Sequence, residues 1–231
     1  MTIGIIGAMR EEIVPLLTLY NEYDSIDIGG NTYYKITYKQ NIIIVAYSKI
    51  GKVHAALSAT TMILKFSCEK IIFSGVAGGL AKGLKVGDLV LATSLCQHDV
   101  DITAFGHAKG FIPEGKLFYE SSKQLCSLAK EVARSMNIDI KEGVVASGDQ
   151  FIANKQLKDS IAKEYKAIAV EMEGASVACV CDNFKIPFCI FRSISDSADG
   201  EASVSFDAFL ESSAKISADF VYRLVDKILL A

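Results

Sequence analysis

Two glutamates, Glu171 and Glu173, follow the short apolar run Ala167–Val170 and precede a run of small residues that suits a helix. This order is typical of a buried strand, its carboxyl end and the next helix, and open α/β sheets bind ligands outside strand carboxyl ends. In an extended segment both side chains point to one side, where they can accept hydrogen bonds from a vicinal diol. Buried carboxylates need polar partners. The alternative is a solvated loop with two surface acids.

Two further acids are expected at strand carboxyl ends. Glu12 lies in the first turn of a helix that begins at Met9 or Arg10, after the predicted strand Met1–Ala8. Asp196 follows a predicted strand at Pro187–Ile194. Acids also complement a helix dipole, which explains the neighbouring Glu11 better than it explains an acidic doublet.

Phe151 follows the predicted strand Gly143–Ser147, and an aromatic ring at the carboxyl end of a strand is either part of the core or a platform for a flat ligand. Convergent carboxylates beside such a ring predict acid/base chemistry on a polyhydroxylated, ring-bearing ligand. In glycosyl transfer to water, one carboxyl group protonates the leaving group and the other activates the water. The residues alone do not distinguish an N-glycoside from an O-glycoside.

The elements that must position these acids alternate between strands and helices, with hairpin-like stretches such as Ile26–Tyr38 among them. This alternation predicts an α/β sandwich with a mixed central sheet. A glycine-rich turn is predicted at Gly75–Leu80, and it lacks the pattern of a nucleotide phosphate site. The polar loop 98–113 is long enough to be functional, and Lys155–Tyr165 is predicted to be a polar helix.

Length and composition indicate one domain, residues 1–231, because 51% of the residues are apolar and nothing resembles a linker. The net charge of -3, without a basic stripe, argues against nucleic acid as a partner. Uncharged runs are too short for a membrane helix, and Arg10 with two acids interrupts any signal peptide. A cytoplasmic protein without a membrane partner is therefore expected.

Metal and disulfide sites are not indicated. The six cysteines form no CxxC pair and lie mostly in apolar runs, so free buried thiols are expected. The histidines lack metal-ligand spacing, although His98 with Asp99 and Asp101 can in principle bind a cation. No metal and no cofactor are predicted.

Five motifs, in order along nearly the whole chain, resemble those of 5'-methylthioadenosine/S-adenosylhomocysteine nucleosidases. They are Gly4–Glu12 (GIIGAMREE), Ser74–Gly79 (SGVAGG), Ser147–Ile152 (SGDQFI), Val170–Glu173 (VEME) and Arg192–Asp196 (RSISD). The resemblance implies a three-layer, nucleoside-phosphorylase-like α/β/α sandwich, usually a homodimer. It also implies hydrolysis of the N-glycosidic bond of 5'-substituted adenosines with release of adenine.

The resemblance assigns roles residue by residue. Glu12 is implied to be the base that activates water, and Asp196 the acid that protonates the purine at N7. Glu173 is implied to hold the ribose hydroxyls. The further substrate-binding residues it implies are the Met172 backbone, Glu171 and Arg192 beside the ribose; Phe151 and the Ile152 backbone on adenine; Ser195 behind Asp196; Met9 and Phe206 on the ribose and 5' side; and Phe105 and Pro113, which close the neighbouring subunit's 5' pocket from loop 98–113.

One departure concerns Val76, since many members of the family carry Ser there. Together with Tyr47–Lys49 and Gln97–Asp101, Val76–Gly78 resembles the branch that also hydrolyses 6-amino-6-deoxyfutalosine, a reaction of an alternative menaquinone pathway. Two alternatives remain at this stage. One is a purine nucleoside phosphorylase of the same fold, and the other is a nucleoside-binding protein without catalysis.

Overall fold

Ten strands and six α-helices alternate along residues 1–196 and 206–231, the part of the chain that this computed structural model describes. The strands are β1 Thr2–Gly7, β2 Asp24–Ile28, β3 Asn31–Tyr38, β4 Asn41–Tyr47, β5 Lys70–Gly79, β6 Leu89–Gln97, β7 Tyr119–Glu120, β8 Ile140–Ser147, β9 Ala167–Glu171 and β10 Phe188–Asp196. The helices are α1 Arg10–Tyr20, α2 Lys52–Phe66, α3 Lys123–Ser135, α4 Lys155–Tyr165, α5 Gly174–Phe184 and α6 Phe206–Leu230, and a short 3-10 helix covers Thr103–Phe105.

The strands form one mixed sheet in the order β10-β6-β8-β9-β5-β1-β4-β3-β2, with β7 paired to β6. Strand β10 pairs in parallel with β5 and antiparallel with β6, so this half of the sheet closes on itself. Strand β9 meets β5 through only two residue pairs, Gly78 with Val170 and Gly79 with Ala169. The closure brings the carboxyl ends of β5, β9 and β10 together at one place.

Helices cover both faces of the sheet. Apolar residues of α2 and α5 pack on one face with side chains such as Ile6 and Phe73. On the other face, α1, α3 and α6 pack around Ile5 and Phe191. A smaller cluster joins α4 to β9 through Ile161 and Tyr165. The predicted α/β/α sandwich with a mixed central sheet is confirmed.

The predicted glycine turn at Gly75–Leu80 is wrong, because β5 continues through Gly79. Strand β10 pairs with β5 from Arg192 opposite Gly75 to Asp196 opposite Gly78, and β9 pairs with its last two residues. Backbone partners on both edges keep the glycines extended despite their low strand propensity. This pairing lies far away in sequence, so the local pattern did not indicate it.

No helix in the described ranges is both long and apolar enough to span a membrane. The longest helix, α6 with 25 residues, has buried side chains such as Phe220 and Leu224 along one side. It packs against α1 and α3, as an amphipathic covering helix of a sandwich does.

Candidate active site

A cavity of about 110 Å³ lies where β1, β5 and β9 end, and a smaller one of about 30 Å³ adjoins it towards β10. Phe151, Gly78 and Glu171 line both cavities. The larger cavity is lined on its other sides by Ala8, Met9, Glu12, Ile50, Val76, Ala77, Val170, Met172, Glu173 and Ser195, and the smaller by Gln150, Ile152, Val170, Met172 and Asp196. A larger groove of about 980 Å³ runs between α1 and α6, but the described residues that line it include no comparable set of buried acids.

Glu12 enters the site from the first turn of α1 and is only 7% exposed. Its Oε2 accepts the Ala8 N–H at 2.6 Å and the Met9 N–H at 3.0 Å, while its Oε1 accepts the Val76 N–H at 3.1 Å. A glutamate at the third helical position commonly reaches back to the helix start in this way. Burial raises the pKa of the Glu12 carboxyl, against the lowering effect of these hydrogen bonds. A carboxyl group with a raised pKa suits a general base near neutral pH.

Two glycines of β5 leave room for the two acids. A Cβ added to Gly75 would lie 3.0 Å from Glu12 Oε1, and one added to Gly78 would lie 3.2 Å from Asp196 Oδ2. Both contacts are tighter than ordinary van der Waals contact between such atoms. The glycines are therefore required for close approach of the carboxyl groups and not for a turn.

Asp196 is the last residue of β10 and is 3% exposed. Lys158 Nζ of α4 lies 2.7 Å from its Oδ2, and Ser195 Oγ lies 2.9 Å from its Oδ1. Both carboxylate oxygens thus have a donor within hydrogen-bond distance. The sequence placed Asp196 at the strand end but did not indicate the lysine beside it.

Glu171 ends β9 and forms a buried ion pair with Arg192, whose Nη2 lies 2.6 Å from Glu171 Oε2. The Gly174 N–H donates to the same oxygen at 2.7 Å, and Ser147 Oγ makes a short hydrogen bond to the other. The Arg192 guanidinium also stacks on the Phe73 ring at 4.1 Å. Because protein donors occupy both of its oxygens, Glu171 anchors β9, β10 and the start of α5.

Glu173 precedes α5 and is 5% exposed, so the alternative of two solvated surface acids is wrong. Its Oε1 accepts the Gly51 N–H, at the start of α2, at 2.8 Å. Burial and the nearby Glu171 carboxylate raise the pKa of Glu173 to about 8. Unlike Glu171, it lacks a cationic partner among the contacts of the described residues, and it faces the cavity.

A family model described as "Phosphorylase superfamily" matches residues 2–229, nearly the whole chain. The chain belongs to the phosphorylase superfamily.

Relatives of known name show which members of the superfamily this chain is similar to. The chain is 57% identical over 227 residues to an aminodeoxyfutalosine nucleosidase of Helicobacter pylori, covering 98% of each chain. It is 39% identical to a 5'-methylthioadenosine/S-adenosylhomocysteine nucleosidase of Actinobacillus succinogenes, over 97% of this chain and 98% of that one. A solved nucleosidase of the latter name from Campylobacter jejuni superposes with a TM-score of 0.96 at 48% identity, covering 98% and 99% of the two chains. The nucleosidase resemblance is confirmed.

Most residues that the motifs single out meet around the two cavities. Three do not line them. Arg192 lies behind Glu171 at 1% exposure, Phe105 is 81% exposed on loop 98–113, and Pro113 is exposed on the same loop. Phe206 begins α6, but its side chain lies outside the described residues. The residues that line the cavities are Met9, Glu12, Val76, Phe151, Ile152, Glu171, Met172, Glu173, Ser195 and Asp196.

Sequence reasoning gave no role to Lys158, Gly51 or Ser147, although Ser147 is the first residue of the motif SGDQFI. A signal for Lys158 exists, because it shares the buried side of α4 with Ile161 and Tyr165, at helical spacing. A lysine in such a position needs a buried partner. Gly51 has a φ of 101°, which explains why a glycine occupies this position. Because only its backbone N–H contacts Glu173, the residue type predicts the turn but not the contact with the site.

Metal binding finds no support, since no group of three or more His, Cys, Asp or Glu side chains in residues 1–196 and 206–231 is arranged to hold an ion. The suggested cation site at His98, Asp99 and Asp101 is not such a group. Asp99 instead pairs with Lys52 Nζ at 2.6 Å.

The raised pKa of Glu173, about 8, predicts a pH dependence of stability. The Glu173 carboxyl has its ordinary pKa of 4.5 in the unfolded state, so between pH 4.5 and pH 8 the native state holds a proton that the unfolded state has released. The contribution of Glu173 to stability therefore falls as pH rises from 4.5 to 8. Glu173→Gln mimics the protonated acid and keeps an acceptor for Gly51. We expect the melting temperature of wild type to fall relative to this variant between pH 5 and pH 8, by thermal scans in matched buffers. Parallel curves would contradict the assignment.

Arg192→Met is expected to destabilise the fold strongly, because it leaves the Glu171 carboxylate buried without its cation. Removing one partner of a buried pair costs about 3–5 kcal/mol of unfolding free energy, measurable by urea denaturation. The matched control is Arg223→Met, which breaks the exposed pair with Asp219 and should cost less than about 1 kcal/mol. Equal losses in the two variants would show that the buried pair has no special weight.

Proposed function

We propose that the protein hydrolyses the N-glycosidic bond of 5'-substituted adenosines and releases adenine. The substrates are 5'-methylthioadenosine, S-adenosylhomocysteine, 5'-deoxyadenosine and 6-amino-6-deoxyfutalosine. One observation carries the proposal: two buried acids, Glu12 and Asp196, meet β5 at Gly75 and Gly78. Glycosidases that transfer a sugar to water pair one carboxyl group that acts as the acid with one that acts as the base.

Glu12 acts as the base in this mechanism. Its carboxylate takes a proton from a water that attacks C1' of the ribose, while three backbone N–H groups hold it in position. The raised pKa of Glu12 brings its proton affinity closer to that needed near neutral pH. The C1'–O bond forms as the C1'–N9 bond breaks.

Asp196 acts as the acid, because an adenine anion is a poor leaving group. Its proton passes to N7, so adenine leaves as a neutral molecule, and the water proton stays on Glu12. The transition state has oxocarbenium character, which the Glu12 and Glu173 carboxyl groups around the cavity stabilise when ionised. Phe151, 59% exposed at the cavity mouth, offers a face for the purine ring.

Hydrolysis is favoured over phosphorolysis by the charges at the site. Lys and Arg are absent from the described residues that line the two cavities. Arg192 is already paired with Glu171, and the ionised form of Glu12 repels phosphate. A purine nucleoside phosphorylase needs convergent cations for its second substrate.

The decisive experiment incubates the purified protein with 5'-methylthioadenosine and, separately, with 6-amino-6-deoxyfutalosine in phosphate-free buffer. We expect adenine from both, which supports roles in methionine salvage and menaquinone synthesis. Adenine only after phosphate is added would identify a phosphorylase. Tight binding without adenine in either buffer would identify a nucleoside-binding protein.

We further propose that the protein is a homodimer whose loop 98–113 reaches the neighbouring site. The apolar side chains of Ile50, Val53 and Leu57 are 54%, 76% and 48% exposed at the start of α2, and Ile50 also lines the cavity. Phe105 on the loop is 81% exposed. Exposed apolar patches that continue to a site mouth are typical of interfaces between protein chains.

Phe105→Ala is expected to raise KM for substrates with a large 5' group, because the partner's pocket loses an apolar wall. Burial of a Phe side chain contributes about 1.5–3 kcal/mol, which corresponds to roughly a tenfold to hundredfold change. The matched control is Leu230→Ala, which truncates an 83% exposed side chain at the end of α6.

Light scattering on Val53→Asp tests the dimer itself, and a molecular mass equal to that of wild type would contradict the proposed interface.

A further inference from the structure

Lys158 is a buried cation within contact distance of the proposed acid. Its ammonium lies 2.7 Å from Asp196 Oδ2, and both side chains are only 3% exposed. The lysine projects from the second turn of α4, and the aspartate ends β10, 38 residues further along the chain. Burying a lysine against an acid requires that the pairing offset a large desolvation cost. A surface role for this lysine is therefore excluded.

The pair creates a chemical conflict in the proposed reaction. An acid that gives a proton to N7 must first hold that proton, and an adjacent cation favours the ionised carboxylate instead. Ser195 Oγ, 2.9 Å from the other oxygen, adds a second donor.

We propose that Lys158 is a positioning residue that holds Asp196 as a carboxylate in the free enzyme and thereby sets the upper pH at which adenine is released. This inference rests on the proposed function. When substrate binds, Asp196 takes up a proton and turns one oxygen to N7, while the ammonium keeps its hold on the other. The cation limits how far into alkaline pH the acid form persists.

Other charged groups face the same space and are common to every variant below. Glu171, with Arg192 behind it, borders the smaller cavity together with Asp196. Glu12 and Glu173 border the larger one, on the side of Ser195. Because these groups are unchanged by substitutions at Lys158, the difference between variant and wild type isolates the effect of the ammonium.

The test compares pH profiles of kcat/KM for wild type, Lys158→Met and Lys158→Gln with 5'-methylthioadenosine. An opposite charge this close shifts an acid's titration by about one to three pH units. We therefore expect the alkaline limb of the kcat/KM profile to move to higher pH by about one to three units in both Lys158→Met and Lys158→Gln. Lys158→Arg retains the charge and should keep the limb at the wild-type position, even where its rate is lower.

A purely structural lysine gives a different result, because it lowers the rate equally at all pH values and leaves both limbs in place. That outcome overturns the proposal. The matched control is Lys163→Met, which alters an exposed lysine of the same helix and should leave the profile unchanged.

If the uncharged Lys158 variants do not fold, infrared spectroscopy can test the ionisation of Asp196 without any substitution at Lys158. Infrared difference spectra between wild type and Asp196→Asn should show a carboxylate band for Asp196 in the free enzyme at neutral pH. Addition of adenine should convert it to a protonated carboxyl band. A protonated band in the free enzyme overturns the proposal. Failure of wild type to release adenine would overturn the proposed function alone, since the spectrum of the free protein still tests the ion pair.

Discussion

Asp196→Asn should lower kcat for adenine release by roughly 10²–10⁴-fold, the usual contribution of a general acid. The asparagine amide can donate a hydrogen bond to N7 but cannot transfer a proton to it. Adenine would then have to leave as an anion. We expect binding of 5'-methylthioadenosine to change by less than about tenfold, because the ring and ribose contacts remain. Quenched-flow or coupled assays of adenine, with calorimetry for binding, give the two values.

The local structure predicts how the variant accommodates asparagine. The single oxygen of asparagine should face Lys158, while the Ser195 hydroxyl, now a hydrogen-bond acceptor, rotates to meet the amide. Removal of the charge takes the Asp196 carboxylate away from the buried Lys158 ammonium, so the melting temperature should fall. The double variant Asp196→Asn/Lys158→Met removes both charges and should recover stability without recovering activity.

Asp159→Asn is the matched control, since this acid lies on the exposed side of α4. It should retain wild-type kcat and stability. Near wild-type activity in Asp196→Asn, in a folded protein, would refute its role as the acid and remove the basis for the hydrolytic mechanism.

The order of elements was predictable from the sequence because its signals are local. Strand β1 and helix α1 follow from an apolar run and a 3–4 spacing, and the acids at their ends follow from the same pattern. Glu12 was found in this way, and Asp196 was found from the apolar run that forms β10. Family motifs supplied their roles, which the residue types alone left open between two kinds of glycoside.

The distinct environments of Glu171 and Glu173 were not predictable, although the two residues are separated by one position. Glu171 is neutralised by Arg192, which is 21 residues away, and Glu173 instead accepts from Gly51, which is 122 residues away. Both partners depend on how the sheet closes. The role of Gly75 and Gly78 was not predictable for the same reason. Each glycine makes room for a carboxyl group from another element, Glu12 of α1 or Asp196 of β10.

Glu12→Gln should lower kcat/KM by roughly 10²–10⁴-fold, because an amide cannot take the proton of the attacking water. It should also lower stability. Both oxygens of Glu12 accept backbone N–H groups, from Ala8 and Met9 on one side and Val76 on the other. Glutamine has one acceptor, so its amide nitrogen must face a donor, at a cost of about 1–3 kcal/mol.

The neighbouring acid provides the control for this second prediction. Glu11 is exposed in the same helical turn, so Glu11→Gln alters the charge at the start of α1 without touching the cavity. It should keep wild-type kcat/KM within about threefold, with a stability change below about 1 kcal/mol. Comparable losses in both variants would mean that the helix start, rather than a base, determines the rate. A loss confined to Glu12→Gln, largest in the chemical step of single-turnover experiments, would identify Glu12 as the group that activates water.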